Sequence, residues 1–366
     1  MGYRDVLDTP SLVVDEAVLR RNIDEMAAFA REHGVGLRPH TKTHKTAEIS
    51  RMQLDAGAVG LTCAKLGEAE ALADAGVLPD VLLAYEIVGP IKLRRLLALM
   101  ERTRVAVAAD GLENAEILSN ACRDAGKVVD VVIEVNTGLE RAGLLPGEQV
   151  LRLAREVAQM PGIHLRGIMT HEGHAGAAAD SEAVQAAALK AGADMVSTAE
   201  LLRKEGIPVE TVSVGSTPAA WYTPTVKGVT EMRPGTYVFD DNSSFRLDGQ
   251  DVDGVALRIL TTVISRPAPD RAVIDAGSKT LAMDSSRGRQ GHGYVVQYPD
   301  AVIARLSEEH GVLVLPPSAQ GMRVGEKIEV IPNHVCPTVN LQDQLFVVRD
   351  GELVDTWDVI ARGKVR

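Results

Sequence analysis

Aromatic residues make up only 3% of this 366-residue chain. With so few rings, the core has to be built from Leu, Val, Ile and Ala. Long apolar runs are missing, so no segment is expected to span a bilayer. The N-terminal stretch MGYRDVLDTPSL lacks the apolar centre of a secretory signal. Cysteine is scarce: Cys63, Cys122 and Cys336 are odd in number and far apart. That spacing suits a reducing compartment rather than a disulfide framework. Surplus basic charge is also lacking. A net charge of -11 argues against nucleic acid, whose phosphates need basic patches. The expectation is a cytoplasmic protein with neither nucleic-acid nor membrane partners. What is present is an apolar share of 45%, ample for one large domain and a smaller one.

The apolar pattern has a beat. Strand-like runs fall at about 36–42, 60–64, 81–85, 104–110, 128–136, 165–173, 210–217 and 231–239. They are apolar on both faces, as buried parallel strands should be. Helix-patterned segments such as LGEAEALADAG and GEQVLRLAREVAQM separate most of them. Eight repeats of strand and helix predict a (β/α)8 barrel of the TIM type over residues 16–240. An open doubly wound sheet is the alternative. Asp15 is placed to cap a first helix that ends near Glu32 and Gly34. The last connection, Thr217 to Glu231, carries Trp221 and Pro224 and is expected to lack a full helix. From Asp240 onward short alternating runs separated by Pro and Gly replace the rhythm. They predict a small antiparallel β domain made of residues 1–15 and 241–366.

In such a barrel chemistry sits at the C-terminal ends of the strands. The first strand leads into GLRPHTKTHKT, residues 36–46. Pro39 pushes Arg38 toward extended geometry, so Lys42 or Lys45 would be held rigidly where the strand stops. The fifth strand ends in TGLERAG with Arg141, the sixth in MTHEGHAG with His171 and His174. The seventh ends in SVGSTP with Gly215, Ser216 and Thr217, where backbone N–H groups and hydroxyls could hold a phosphate. The eighth leads into MRPGTY with Arg233, Gly235, Thr236 and Tyr237. Each motif could also be an ordinary turn. In the β domain, PNHVCPTVNL sets His334 and Cys336 two apart between Pro332 and Pro337. On an extended segment these side chains would share a face, and a histidine with a thiolate suits zinc or another borderline metal.

The run RPHTKTHK resembles the signature of the alanine racemase N-terminal superfamily, fold type III among pyridoxal-phosphate proteins, in its D-threonine aldolase and D-serine dehydratase branch. TGLERAG, MTHEGH, GST, RPGTY, VIDAGSKTLAMD and LSEEHGVL extend that resemblance over nearly the whole chain. It implies that Lys42, not Lys45, carries pyridoxal 5'-phosphate, that Arg141 faces the cofactor ring, and that His171 lies against it. It further implies a phosphate site at Gly215, Ser216 and Thr217, Arg233 near the ring nitrogen, and Gly235, Thr236 and Tyr237 close to the phosphate. His174 joins Lys42, His171 and Arg141 among the catalytic candidates. The pair His334 and Cys336 matches the position where this branch holds a catalytic divalent metal (zinc, manganese or magnesium), with Asp284 as a supporting group.

The implied protein is a homodimeric lyase acting on small D-β-hydroxy amino acids. Retro-aldol cleavage of D-threonine to glycine and an aldehyde is the leading reading. Dehydration and deamination of D-serine or D-threonine to a 2-oxo acid is the alternative, favoured by the cysteine at 336. A racemase and a non-catalytic pyridoxal-phosphate-binding protein are weaker readings.

Overall fold

The computed structural model describes residues 2–178, 180–243, 252–286 and 289–366. The chain divides into two compact units.

One unit comprises Glu25–Lys42, Ile49–Gly235 and Lys364–Arg366. Eight parallel strands form it: β1 (Gly36–Leu37), β2 (Leu61–Cys63), β3 (Asp80–Glu86), β4 (Arg104–Ala109), β5 (Val129–Glu134), β6 (Ile163–Met169), β7 (Thr211–Val214) and β8 (Glu231–Met232). Each pairs in parallel with the next from β2 to β8, and β8 pairs with β1. A parallel bridge between His40 and Thr62 joins the first strand's extension to β2 and closes the ring. Helices follow the strands, the longest wholly within this unit being Ser181–Lys204, capped by Asp180 through Ala183 N at 2.9 Å. Between β7 and β8 there is only the 3-10 turn Thr223–Thr225. Pro218 and Pro224 interrupt the backbone donors of this segment.

Small residues let the ring pack tightly. Ala106, Ala108, Leu82, Val132 and Met169 form one buried cluster. Toward the N-terminal ends of the strands the interior is polar. Arg38, 2% exposed, donates to Glu231 Oε2 at 2.7 Å and to Asp80 Oδ1 at 2.6 Å. Glu231 also accepts from Ser213 Oγ at 2.7 Å. A Cβ at Gly60 would stand 2.2 Å from Arg38 Nη1, so the guanidinium requires glycine there.

The other unit comprises Met1–Asp24, Thr43–Glu48 and Thr236–Gly363. Its strands Leu257–Ala268, Arg271–Ile274, Gly311–Val314, Val302–Leu306, Tyr294–Val295 and Lys327–Ile331 pair antiparallel in that cyclic order and return to the first, closing a small β-barrel. Ser11–Asp15 extends the sheet, antiparallel to Leu257–Ala268 and parallel to Gln344–Arg349, which pairs with Glu352–Asp358. Asp15 accepts from Val18 N at 3.0 Å, capping the helix Glu16–Glu32 as its sequence position predicts, a contribution of about 1 kcal/mol. The fold class read from the sequence, a parallel (β/α)8 barrel with a second antiparallel β domain, is the one observed. No helix among the described residues is long and apolar enough to cross a membrane.

Candidate functional site

Strand ends position the chemistry. The C-terminal mouth of the parallel barrel encloses a cavity of about 500 Å³. Its wall takes His40 and Lys42 after β1, Lys65 after β2, Tyr85 and Glu86 from β3, and Glu134 from β5. Lys92, Arg141, His171, Gly215 and Arg233 also line it. Five residues singled out from sequence motifs (Lys42, Arg141, His171, Gly215 and Arg233) are thus brought to one cavity. Lys45 is not among them. It is buried at a φ of 57°, and its Nζ donates to Ala361 O at 3.4 Å.

His171 is partly buried and held through one ring nitrogen. Its Nδ1 bonds to the carbonyl of Gly215. Burial, then the charge of Lys42, drives its pKa down to about 3, with Arg141 and Arg233 adding to the effect. The imidazole is therefore neutral at physiological pH, and the Gly215 bond fixes the proton on Nδ1, leaving Nε2 as an acceptor. Arg233 is 4% exposed and immobile: one arm donates to Ser213 Oγ, the other to Thr170 O at 2.6 Å. Burial lowers its pKa against the opposing charges of Glu231 and Glu172. Arg141 Nη2 lies 3.5 Å from Glu134 Oε1.

The turn after β7 is held from below by a residue that sequence reasoning missed. Glu172, inside the HEGH motif, accepts from Gly215 N at 2.9 Å, and its carbonyl accepts from Ser216 Oγ at 3.4 Å. Burial raises the pKa of Glu172. Both backbone groups of Gly215 are consequently engaged, so phosphate donors at this turn would come from the residues after it. Thr217 Oγ1 accepts from Gly235 N at 3.3 Å, which ties the turn to the RPG segment. A Cβ at Gly215 would fall 2.7 Å from that of Arg233. His174 departs from expectation. It sits in the 3-10 turn Gly173–Ala177, packed over Gly138, and is not among the residues lining the cavity. The glycine turn that separates the two histidines aims them differently.

Glu86 is a second omission. Burial, then the charge of Glu134, pushes its pKa up to about 7. Nothing in AYEIVG marks this carboxyl as special. Only its place at a strand end would have singled it out.

The β unit carries the remaining candidates. Thr236 and Tyr237 form part of the 3-10 turn Thr236–Val238, with Tyr237 buried. His334 is extended, at φ -143° and ψ 111°, but Cys336 is not. The helix Val335–Asn340 begins between them. The expectation of an extended segment is corrected, because the carboxylate of buried Asp241 accepts from Val335 N at 3.0 Å and starts the helix. The two side chains still meet. Burial alone would lower the pKa of His334, but bonding and charge from Cys336, with Asp241 and Asp284, push it up to about 9. His334 Nδ1 pairs with Asp284 Oδ1 at 3.1 Å, an arrangement that leaves Nε2 to a ligand. Among the described residues no group of three or more His, Cys, Asp or Glu side chains is arranged to hold a metal. The donor pair by itself, imidazole nitrogen and thiolate, fits a divalent ion left open at its other positions.

The barrel cavity has the groups a flat aldehyde would meet: an amine in its wall, a neutral imidazole and a fixed guanidinium. Comparison with known proteins points the same way. Residues 14–243 match the family model for the alanine racemase N-terminal domain, and residues 256–348 match one described as a serine dehydratase domain. The chain is 36% identical to a D-threonine aldolase of Arthrobacter sp over 98% of its own length and 93% of the relative. It superposes on the crystal structure of D-threonine aldolase from Filomicrobium marinum with a TM-score of 0.93 at 35% identity, covering 100% of this chain and 98% of that one. D-threo-3-hydroxyaspartate dehydratase from Delftia sp. HT23 gives a TM-score of 0.90 at 32% identity, over 98% and 99% of the two chains. That dehydratase has been solved as a metal-free mutant lacking a cysteine and as a mutant lacking the histidine two positions earlier. The chain belongs to the alanine racemase N-terminal domain family, in the branch of aldolases and dehydratases whose C-terminal part is a serine dehydratase domain.

Proposed function

We propose that this protein is a pyridoxal-phosphate- and divalent-metal-dependent lyase of D-β-hydroxy amino acids, with retro-aldol cleavage of D-threonine as its leading activity. The observation that carries the reading is Lys42 in the wall of a cavity it shares with a neutral, tautomer-fixed His171. In this reading Lys42 holds the cofactor. Arg141, His171 and Arg233 would face the cofactor; of the sequence-expected phosphate residues Gly215, Ser216, Thr217, Gly235, Thr236 and Tyr237, those after Gly215 would supply the donors, since both backbone groups of Gly215 are engaged. His334 and Cys336 hold zinc, manganese or magnesium. When bound, the cofactor withdraws electron density from the amino acid's α-carbon and the metal lends Lewis acidity toward a hydroxyl.

The chain's own groups do the rest. The bond from Gly215 holds the His171 ring in one orientation, and its neutrality avoids a further positive charge beside Lys42. Arg233 presents a charge that cannot swing away. Glu86, near half-protonated at neutral pH, can hold or return a proton at the cavity wall. A cytoplasmic homodimer working on small D-amino acids completes the reading.

Dehydration is the second reading. The His-x-Cys order at 334–336 is the order of the two residues replaced in the Delftia dehydratase. Incubation with D-threonine separates the two: glycine with acetaldehyde for the aldolase, 2-oxobutanoate with ammonia for the dehydratase. Neither product, from D-threonine or D-serine with cofactor and metal present, would overturn the lyase reading.

A further inference from the structure

The run GLRPHTKTHKT draws the eye to its lysines and histidines, but two of its threonines repay comparison. Thr41 and Thr43 are both buried, at 1% and 0% exposure, and each hydroxyl lies 3.3 Å from a cysteine sulfur. Thr41 sits beside Cys63 and has a better acceptor at hand, the carbonyl of Thr62 at 3.1 Å. Thr43 sits beside Cys336, and among the described residues its hydroxyl has no other hydrogen-bond partner. A buried hydroxyl is rarely left to a neutral thiol alone, whose sulfur is a weak acceptor. A metal-bound thiolate carries charge and has no proton to give, so it accepts from a hydroxyl more strongly.

The rest of the pair is supported in the same way. Thr43, His334 and Cys336 belong to one compact unit. Asp284 Oδ1 holds His334 through Nδ1 at 3.1 Å. Asp241 accepts from Val335 N at 3.0 Å and sets the backbone between the two donors. Thr43 gives Cys336 the equivalent support at its sulfur. Loss of such outer partners typically costs about 10–100-fold in metal affinity.

We propose that Thr43 is a positioning residue of the metal pair: its hydroxyl donates to the Cys336 thiolate and fixes the direction in which the sulfur meets a divalent ion. This inference rests on the reading of His334 and Cys336 as the metal pair. Thr43 directly follows Lys42 in the chain, so one motif serves the cofactor with one residue and the metal with the next. A donated hydrogen bond also lowers the energy of the sulfur lone pairs, and hydrogen bonds to sulfur tune metal–thiolate electronics in this way. A purely structural role leaves no such mark.

Thr43→Val removes the hydroxyl at nearly constant shape, and Thr43→Ser keeps it. Competition with a chromophoric chelator measures the zinc affinity of the cofactor-loaded protein. Cobalt(II) in place of zinc reports on the sulfur through the sulfur-to-metal charge-transfer band, taken as a cobalt-minus-zinc difference spectrum so that the cofactor absorbance cancels. Thr43→Val is expected to bind zinc about tenfold more weakly, or worse, and to move the band to longer wavelength. Thr43→Ser is expected to restore both. Parent-like affinity and band in Thr43→Val would overturn the inference. So would weaker binding with an unmoved band, because the effect would not pass through the sulfur, and so would Thr43→Ser behaving like Thr43→Val. A parent protein that binds neither zinc nor cobalt, or binds cobalt without the charge-transfer band, would bring down the metal reading itself. That outcome is distinct from a metal-loaded parent matched by Thr43→Val.

Discussion

The two units each bury one knot of charge, built in opposite senses. In the parallel barrel a cation, Arg38, is clamped between the carboxylates of Glu231 and Asp80 at 2.7 and 2.6 Å. In the antiparallel unit an anion, Glu329, is met by Arg4 at 3.0 Å and Arg258 at 3.4 Å, and by the hydroxyl of Tyr3. Both centres are buried, at 2% and 3% exposure. Their partners differ. Arg4 is 41% exposed and reaches in from the surface, whereas Glu231 is buried like the arginine it holds. The barrel knot is a fixed interior element, and the β-unit knot joins the more enclosed Arg258 to one exposed arm, Arg4. The chemistry follows the same division. The barrel mouth holds groups locked by neighbours, while the β unit offers a partly exposed His–Cys pair.

The largest test of that division is functional. Lys42→Ala should abolish the yellow chromophore and lower turnover by about three orders of magnitude or more, as loss of a covalent anchor does. Chelation, or Cys336→Ala, should lower turnover by about a hundredfold or more while leaving the chromophore intact. Absorbance and steady-state rates on the same preparations check both. Loss of the chromophore on chelation would end the division. Cys336→Asp should keep part of the activity and shift preference from zinc toward manganese or magnesium, since a carboxylate is the harder ligand.

A smaller effect, on stability, sharpens the contrast between the knots. Arg38→Met leaves the buried Glu231 carboxylate without its guanidinium and Asp80 with only Arg104 at 3.8 Å, and is expected to cost about 3–5 kcal/mol. Glu329→Gln keeps hydrogen-bonding capacity and leaves Arg4 free to turn to water, so about 1–2 kcal/mol is expected. Denaturant midpoints of the two variants measure the difference. Equal losses would show that partner exposure does not matter here.

How much of this was readable in advance depended on whether a residue announced itself. The eight-strand rhythm was legible because parallel strands are apolar on both faces. Lys42, Arg141, His171 and Arg233 were legible because each follows a strand inside a recognisable motif. Lys65, Tyr85 and Glu86 stand at equivalent strand ends, in CAKLG and AYEIVG, but no motif surrounds them. Their meaning comes only from the neighbours that the ring supplies. Glu172 hid inside a motif read for its histidines. The helix beginning at Val335 was hidden for another reason. Its starting signal is Asp241, 94 residues earlier in the chain, and a cap so distant leaves no local mark.

The smallest expected effect concerns Glu86, and its sign follows from linkage. In the cofactor-free protein its pKa is raised to about 7 by burial and the charge of Glu134. An unfolded glutamate titrates near 4.5. Below that value both states hold the proton and the contribution is complete. Between about 4.5 and 7 the folded state keeps a proton that the unfolded state has lost, so stability falls as pH rises, by on the order of 1 kcal/mol once solvent screening is allowed for. His171 acts in the other direction. Its pKa falls from 6.5 to about 3, so its contribution is complete above 6.5 and is lost as pH falls toward 3. The two slopes oppose each other between pH 4.5 and 6.5. Glu86→Gln keeps the shape of the protonated carboxyl and removes its titration. The variant should therefore gain thermal stability relative to the parent as pH rises from 4.5 to 7, and its own curve should show the steeper climb owed to His171. Melting temperatures of both proteins across that range decide the matter. A difference independent of pH would mean that Glu86 ionises as an ordinary surface carboxylate.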